Sequence, residues 1–238
     1  VRPVFRKVSR DFREQFGALG IMPSLDTFSK EMHSTLQTHY DKVADTFSTR
    51  IVDKLGKPIT HDAVVNSIES RTALHHQIRA DESAQAIVNT TRKDMIQSVQ
   101  QASQEALQRG EQAISSEIAG AARLKLDQKN AARMQTIAMT ETQNPAEHAK
   151  QAEIDFLDWH DVTLNGQRLR ERKKFKKWEA ILDTRTRHSH VEADNQVVPF
   201  DGFYTVQGQK LRFPGDMSLG ATLDNVINCR CSSIIIIR

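Results

Sequence analysis

Cysteine is scarce in this sequence: a chain of 238 residues has two, at positions 229 and 231. A pair at i, i+2 cannot serve as a disulfide framework for a chain this long, and on a strand both side chains would project from one face. The reading is a reducing compartment. Aromatic residues make up 6% and the hydrophobic set 38%, against 26% charged. That is lean for a compact enzyme and suits long solvated helices joined along narrow apolar seams. No stretch approaches the roughly 18 consecutive apolar residues of a membrane-spanning helix, so no membrane partner is expected. The basic opening V-R-P-V-F-R-K lacks the apolar centre of a signal peptide. Also missing are G-x-S-x-G, a phosphate-binding loop, H-E-x-x-H, internal repeats and low-complexity segments. Charge of one sign is not in excess either. Thirty-three Lys and Arg stand against thirty Asp and Glu, a net +3, so a polyanion partner would need a local cluster.

What is present divides into a helical part and a smaller mixed part, an α+β chain. Val4, Val8, Phe12 and Phe16 make a short amphipathic start that Gly17, Gly20 and Pro23 break. Phe28, Met32, Leu36, Tyr40, Val43, Phe47 and Ile51 then recur every three or four residues, one face of a helix of about 28 residues from Ser24. Gly56-Lys57-Pro58 ends it, and Thr60 with Asp62 caps a second helix carrying Val64, Val65, Ile68 and Ile78. A third is expected from near Asp81, with Val88, Met95, Val99, Ala102 and Ala106 as its seam. So thin a seam fits an ordinary bundle and equally a neighbouring subunit. Beyond Gly110 three shorter helices are predicted: one at Ile114 to Ala122, one from Ala131 that stops near Asn144-Pro145, and one from Ala146 to Trp159. Asp127-Gln128-Lys129-Asn130 is expected to be a polar joint.

After Trp159 the composition changes. Asn165-Gly166 signals a turn, and Arg168, Arg170, Arg172, Lys173, Lys174, Lys176 and Lys177 follow within ten residues. This run is the candidate for contact with DNA phosphates or an acidic protein surface, with a merely solvated charged face as the alternative. Strands are expected at Val197 to Phe200, and a hairpin at Phe203 to Phe213 turns on Gln207-Gly208. A last strand spans Cys229 to Ile237, whose Ile234 to Ile237 run is an edge hazard unless covered.

Special chemistry is concentrated between Trp178 and Cys231. His188-x-His190 with Cys229-x-Cys231 offers two imidazoles and two thiolates, a set zinc accepts, although both gaps are tighter than in ordinary zinc knuckles. The alternative is a polar core histidine beside two small buried thiols. Zinc is thus the one cofactor the residues leave open, and none is expected. Asp183, Arg185, Arg187, His190 and Asp194 contain what a metal-dependent nucleic-acid-processing enzyme needs. They equally suit an ion-pair lattice bracing a small domain. No catalytic residue is assigned.

The order Thr140-Glu141, Trp178, Asp183-x-Arg185-Thr186-Arg187 with His190 and Asp194, Pro214-Gly215-Asp216 and Asn228-Cys229-Arg230-Cys231 resembles the phage Mu protein F-like family of minor head proteins. The similarity covers about residues 105 to 232. Its most specific element is D-x-R-T-R-x-S-H paired with a distant N-C-R-C. There are departures. Arg187 and His190 stand where many members have cysteine, Val226 where they have histidine, Met139 for an arginine and Asn195 for a glycine. The resemblance implies a helical docking region over 1–104 and a head-morphogenesis module over 105–238, helical to about 180. It implies a non-enzymatic minor head protein of a tailed phage or prophage, associated with the portal vertex. Its partners would be portal or capsid proteins in a hetero-oligomeric assembly, with DNA in some cases. Its location would be the virion, and the host cytoplasm during assembly. Arginine–carboxylate pairs in such a module are expected to be partly exposed or multiply hydrogen-bonded, because full burial costs desolvation.

Overall fold

The computed structural model describes residues 1–55, 61–110, 112–159, 163–164 and 166–238, with backbone alone at 47–55, 61–65, 67–69 and 164. The expected break at Gly56-Lys57-Pro58, the cap at Thr60 and residue Asn165 lie outside the described residues. So do the side chains of Phe47, Ile51, Asp62, Val64, Val65 and Ile68. The chain is α+β. Four helices come first, α1 (Arg2–Leu19), α2 (Asp26–Leu55), α3 (His61–Gln108) and α4 (Ser115–Trp159). Short strands β1 (Thr163–Leu164) and β2 (Gln167–Arg168) and a 3-10 turn at Leu169–Glu171 follow. Then come β3 (Lys174–Glu179), α5 (His188–Glu192), β4 (Val197–Pro199), β5 (Tyr204–Val206), β6 (Gln209–Leu211), α6 (Leu223–Val226) and β7 (Ser232–Ile237). Among the described residues no helix is long and apolar enough to cross a membrane.

Three expected breaks do not exist. α3 runs unbroken past Asp81, because Ala80, Ala84, Ile87, Val88 and Met95 continue one buried stripe across the expected junction. α4 passes through both the polar joint at 127–130 and Pro145. In the joint Leu126 and Asn130 are buried, and Asn130 donates to Ser9 Oγ at 3.4 Å. Proline removes one helical N–H, yet the neighbouring Gln143 and Asn144 are anchored by their side chains as described below, and the helix continues through the position. Trp159, expected on the apolar face of this segment, is 77% exposed at the helix end, whereas Ala149, Ala152 and Phe156 are buried.

By packing the chain forms two compact units, Val1–Thr38 with Gln77–Ala138, and His39–His76 with Met139–Arg238. This division follows contacts; the sequence boundary at 104/105 follows motif similarity. The first unit is a four-helix arrangement. Phe5 of α1 meets Phe28 of α2, ring centroids 5.5 Å apart. His33 of α2 lies 3.2 Å from Asp81 of α3. Arg133 of α4 pairs with Asp94 of α3 at 2.9 Å and reaches over the Phe5 ring at 5.6 Å. A β-carbon on Gly17 of α1 would sit 3.4 Å from the Ala119 β-carbon of α4, so those two helices approach closely. The seam mixes alanines such as Ala84, Ala102 and Ala122 with large residues that include Phe5, Phe12, Phe28, Met32, Leu36, Met95 and Leu126.

The second unit holds the strands. β3 is the centre of an antiparallel sheet in the order β4-β3-β7, with Lys176 opposite Val198 and Ile235, and Trp178 opposite Ser233. β5 and β6 form the expected hairpin. Its turn residues Gln207 and Gly208 both have positive φ, 50° and 74°, the twist that matches a two-residue hairpin. The core gathers Trp178, Tyr204, Val206, Leu211, Val226, Cys229 and Cys231. A second cluster joins Ile154, Phe156 and Leu157 of α4 to Leu169, with Ile235 and Ile237 of β7 packed on it. The edge strand therefore has one face covered.

Candidate functional site

The basic run does not form one surface. It spans β2, the 3-10 turn and β3, where alternate side chains face opposite ways. Lys174, Lys176 and Trp178 share the inner face. Lys176 is 1% exposed, its Nζ 5.9 Å from the Phe200 ring and 5.7 Å from that of Tyr204, and burial pulls its ammonium down to about 8. Lys174 pairs with Asp158 at 2.7 Å. Lys177 donates to Asn195 Oδ1 at 3.3 Å. Arg168, Arg170 and Lys173 are exposed and Arg172 is half-buried. Of the seven cations three are exposed, Lys176 is buried and the others are half-buried, so the run is not a single patch. The pattern K-F-K-K-W-E had hidden a strand, since lysine on a core face runs against its usual exposure.

The segment around His190 and the closing cysteines do come together. Asp183 opens a turn by accepting from the Arg185 N–H at 2.9 Å. It also takes both arms of Arg230, Nη1 to Oδ2 at 2.7 Å and Nη2 to Oδ1 at 2.6 Å. The pair is partly exposed and doubly bonded, the form in which a carboxylate–guanidinium pair avoids the full desolvation cost. The Arg185 guanidinium is exposed, 3.6 Å from Asp183. Arg187 donates to the Ile227 carbonyl. Asp194 accepts the Ala180 N–H at 2.8 Å, and Asn195 after it has φ 62°. Asparagine tolerates that left-handed backbone more readily than most residues other than glycine.

His190 lies at the centre, 2% exposed on α5. Its Nδ1 is 3.3 Å from Cys231 Sγ and 3.7 Å from Cys229 Sγ. Trp178 stands edge-on to its ring, centroids 5.5 Å apart at 89°. The buried Nε2 has no hydrogen-bond partner among the described residues. Both cysteines are free thiols. Cys229 is held well above its ordinary value by donating to the Cys231 sulfur and by burial, and Cys231 is held below by that same donation and then by His190. His188, the second imidazole of the four-residue set that zinc would accept, points away: it is exposed and pairs with Glu192 at 3.2 Å. Residues i and i+2 of a helix lie on different faces, which separates the two histidines.

Of the residues that anchor this centre, sequence reading singled out Thr140 and missed Gln143, Asn144 and Glu147. One face of α4 carries Thr140, Gln143, Asn144 and Glu147, the i, i+3, i+4, i+7 spacing normally read as apolar. Thr140 Oγ1 accepts the Asn228 N–H at 2.8 Å, where Asn228 has φ 56°. Gln143 donates to the Cys231 carbonyl, and Asn144 to the Gly215 carbonyl at 2.9 Å. Glu147 accepts from the Ser233 N–H at 3.0 Å and Ser232 Oγ at 3.1 Å. Gly215, with φ 87°, approaches so closely that a β-carbon would lie 3.3 Å from Gln143 Cγ. Asp216 after it accepts the Arg212 and Ser218 N–H groups, both at 2.8 Å. Glu141 accepts a hydrogen bond from the Tyr40 hydroxyl on the adjoining face. The polar residues that pattern alone leaves unassigned are those that tie α4 to residues 215–233.

Beside them lies a histidine cluster. His75 of α3 stacks on His148 of α4, centroids 3.7 Å apart at 5°. His75 Nε2 is 3.0 Å from Asn144 Oδ1, and His76 Nδ1 is 2.8 Å from Asp41. Burial, and then the neighbouring His75, His76 and Arg212, bring His148 down to about 3.

Comparison with family models, with curated proteins and with solved structures gives no match for this chain.

Proposed function

We propose that this chain is a non-enzymatic minor head protein of a tailed phage or prophage, of the phage Mu protein F-like kind. It would act at the portal vertex in head morphogenesis, DNA packaging or DNA delivery. The observation that carries the reading is convergence: the widely separated residues on which the resemblance rests hold one another. Thr140 bonds to Asn228, Asp183 to Arg230, and His190 faces Cys229 and Cys231. Their roles are those of a scaffold. Asp183 is occupied by Arg230, and Asp194 by the Ala180 N–H and Asn195. His190 turns one ring nitrogen to sulfur in the buried core. A nucleic-acid-processing enzyme would need that imidazole within reach of a substrate, so the second reading has less support.

Portal and capsid proteins are the proposed partners, the virion and the host cytoplasm during assembly the proposed locations. Any DNA contact would fall to Arg168, Arg170 and Lys173, the exposed members of the basic run. The test uses purified particles carrying a tagged full-length chain. Label confined to one vertex, and cofractionation of the chain with portal rings, is the expected result. Label spread over the shell, or absent from particles, overturns the proposal.

A further inference from the structure

We propose that His190, Cys229 and Cys231 form a zinc-binding site. Their ligand atoms lie within 4.8 Å of one another, all three residues are buried, and neither sulfur is committed to a disulfide. The spacing suits an ion at their centre. Bonds of roughly 2.05 Å to nitrogen and 2.3 Å to sulfur, meeting at a tetrahedral angle, put nitrogen and sulfur roughly 3.6 Å apart. The two separations found, 3.3 and 3.7 Å, lie on either side of that value, and both are made by the same nitrogen, Nδ1. With its proton on Nε2, the imidazole offers the Nδ1 lone pair to the ion.

The backbone presets the ligands without help from a metal. α5 presents His190, the left-handed turn at Asn228 aims the two cysteines inward, and Gln143 fixes the Cys231 carbonyl. Two thiolates and one imidazole select a borderline-soft ion over magnesium or calcium, and two thiolates neutralise a divalent charge among buried residues. Binding displaces to solvent whatever thiol protons remain on the two sulfurs. Among the described residues no fourth histidine, cysteine or carboxylate joins the group. The fourth corner is therefore left for a solvent molecule or small ligand, and zinc is held less tightly than in a four-residue site. The inference is independent of the head-protein reading.

The full-length chain, reduced and stripped of metal, is titrated with zinc against a chromophoric chelator, and with cobalt(II) by absorption spectroscopy. One zinc per chain and a thiolate-to-cobalt charge-transfer band are expected. Cys231→Ser and Cys229→Ser should each weaken zinc binding on the order of 100-fold, more than is usual for loss of a supporting residue around a metal. Exposed His188→Ala should bind as the parent does. His190→Gln, which keeps a polar side chain in the core, should lose at least about tenfold. Folding of each variant is checked by circular dichroism. A folded parent chain that takes up no stoichiometric zinc overturns the site whatever the variants do. So does zinc affinity unchanged in folded Cys231→Ser or His190→Gln, the result expected of a hydrogen-bonded thiol pair alone.

Discussion

Asp183 and Arg230, 47 residues apart in sequence, meet as a two-toothed ion pair in which each guanidinium arm reaches its own carboxylate oxygen. That hydrogen bonding, chiefly from Arg230, holds the Asp183 carboxyl well below the usual carboxylate range. A depressed carboxyl contributes stability that is present above its unfolded pKa and is lost as the pH falls through the folded one. Arg230→Lys replaces a fork by a point charge. The Asp183 side-chain carboxyl signal, followed by NMR through an acid titration, should then move its midpoint upward towards the ordinary value. An unchanged midpoint would show that the pair does not set it.

Glu147 is a buried acceptor for the Ser233 N–H, and burial pushes its carboxyl up against the opposing pull of Lys150. Glu147→Ala strips a buried donor of its acceptor and should cost about 2–4 kcal/mol. Glu147→Gln keeps an oxygen in place and should cost about half of that or less. Urea unfolding of the two variants side by side measures the difference.

The His75–His148 stack predicts a particular acid sensitivity. The unfolded chain takes up a proton on His148 near pH 6.5, whereas the folded chain resists it down to about 3. Stability therefore falls as the pH drops across that window, by up to a few kcal/mol, and is level above it. Half-buried His39 is lowered in the same direction, chiefly by desolvation. His148→Phe retains an aromatic plane against His75 and should flatten the slope between pH 6.5 and 4, read from denaturation midpoints at stepped pH.

Lys176 predicts the opposite end of the scale. Its folded ammonium loses its proton at about 8, below the ordinary lysine value, so stability should rise with pH from about 8 to 10.5 as the unfolded chain retains the extra proton. Lys176→Met keeps the apolar stem between Phe200 and Tyr204. It should change stability at pH 7 by about 1 kcal/mol or less, or increase it, and abolish the alkaline slope. Chemical denaturation at pH 7, 8.5 and 10 checks both.

Patterns of apolar residues made α1, the start of α2 and the β5–β6 hairpin legible, since in each the buried set obeys one period. Val8 and Phe12 on α1, and Gln207-Gly208 at the turn, are such cases. The continuity of α3 and α4 was not legible, because side-chain anchors at Gln143 and Asn144 override the local signal of Pro145. β3 was hidden because its central Lys176 is charged and yet buried. The meeting of His190 with Cys229 and Cys231 was anticipated from chemistry. The exclusion of His188 needed the helix, which turns adjacent alternate residues apart.

The bonds from Thr140, Gln143, Asn144 and Glu147 to residues 215–233 make α4 a ruler whose graduations are angular. Inserting one residue between Asn144 and Glu147 would rotate everything beyond it by about 100°, turning Glu147 away from Ser233 while Thr140 still holds Asn228. Substitutions at single graduations remove one bond each; a change of length throws the remaining bonds out of phase together. Over this stretch the chain should tolerate altered letters far better than an altered count.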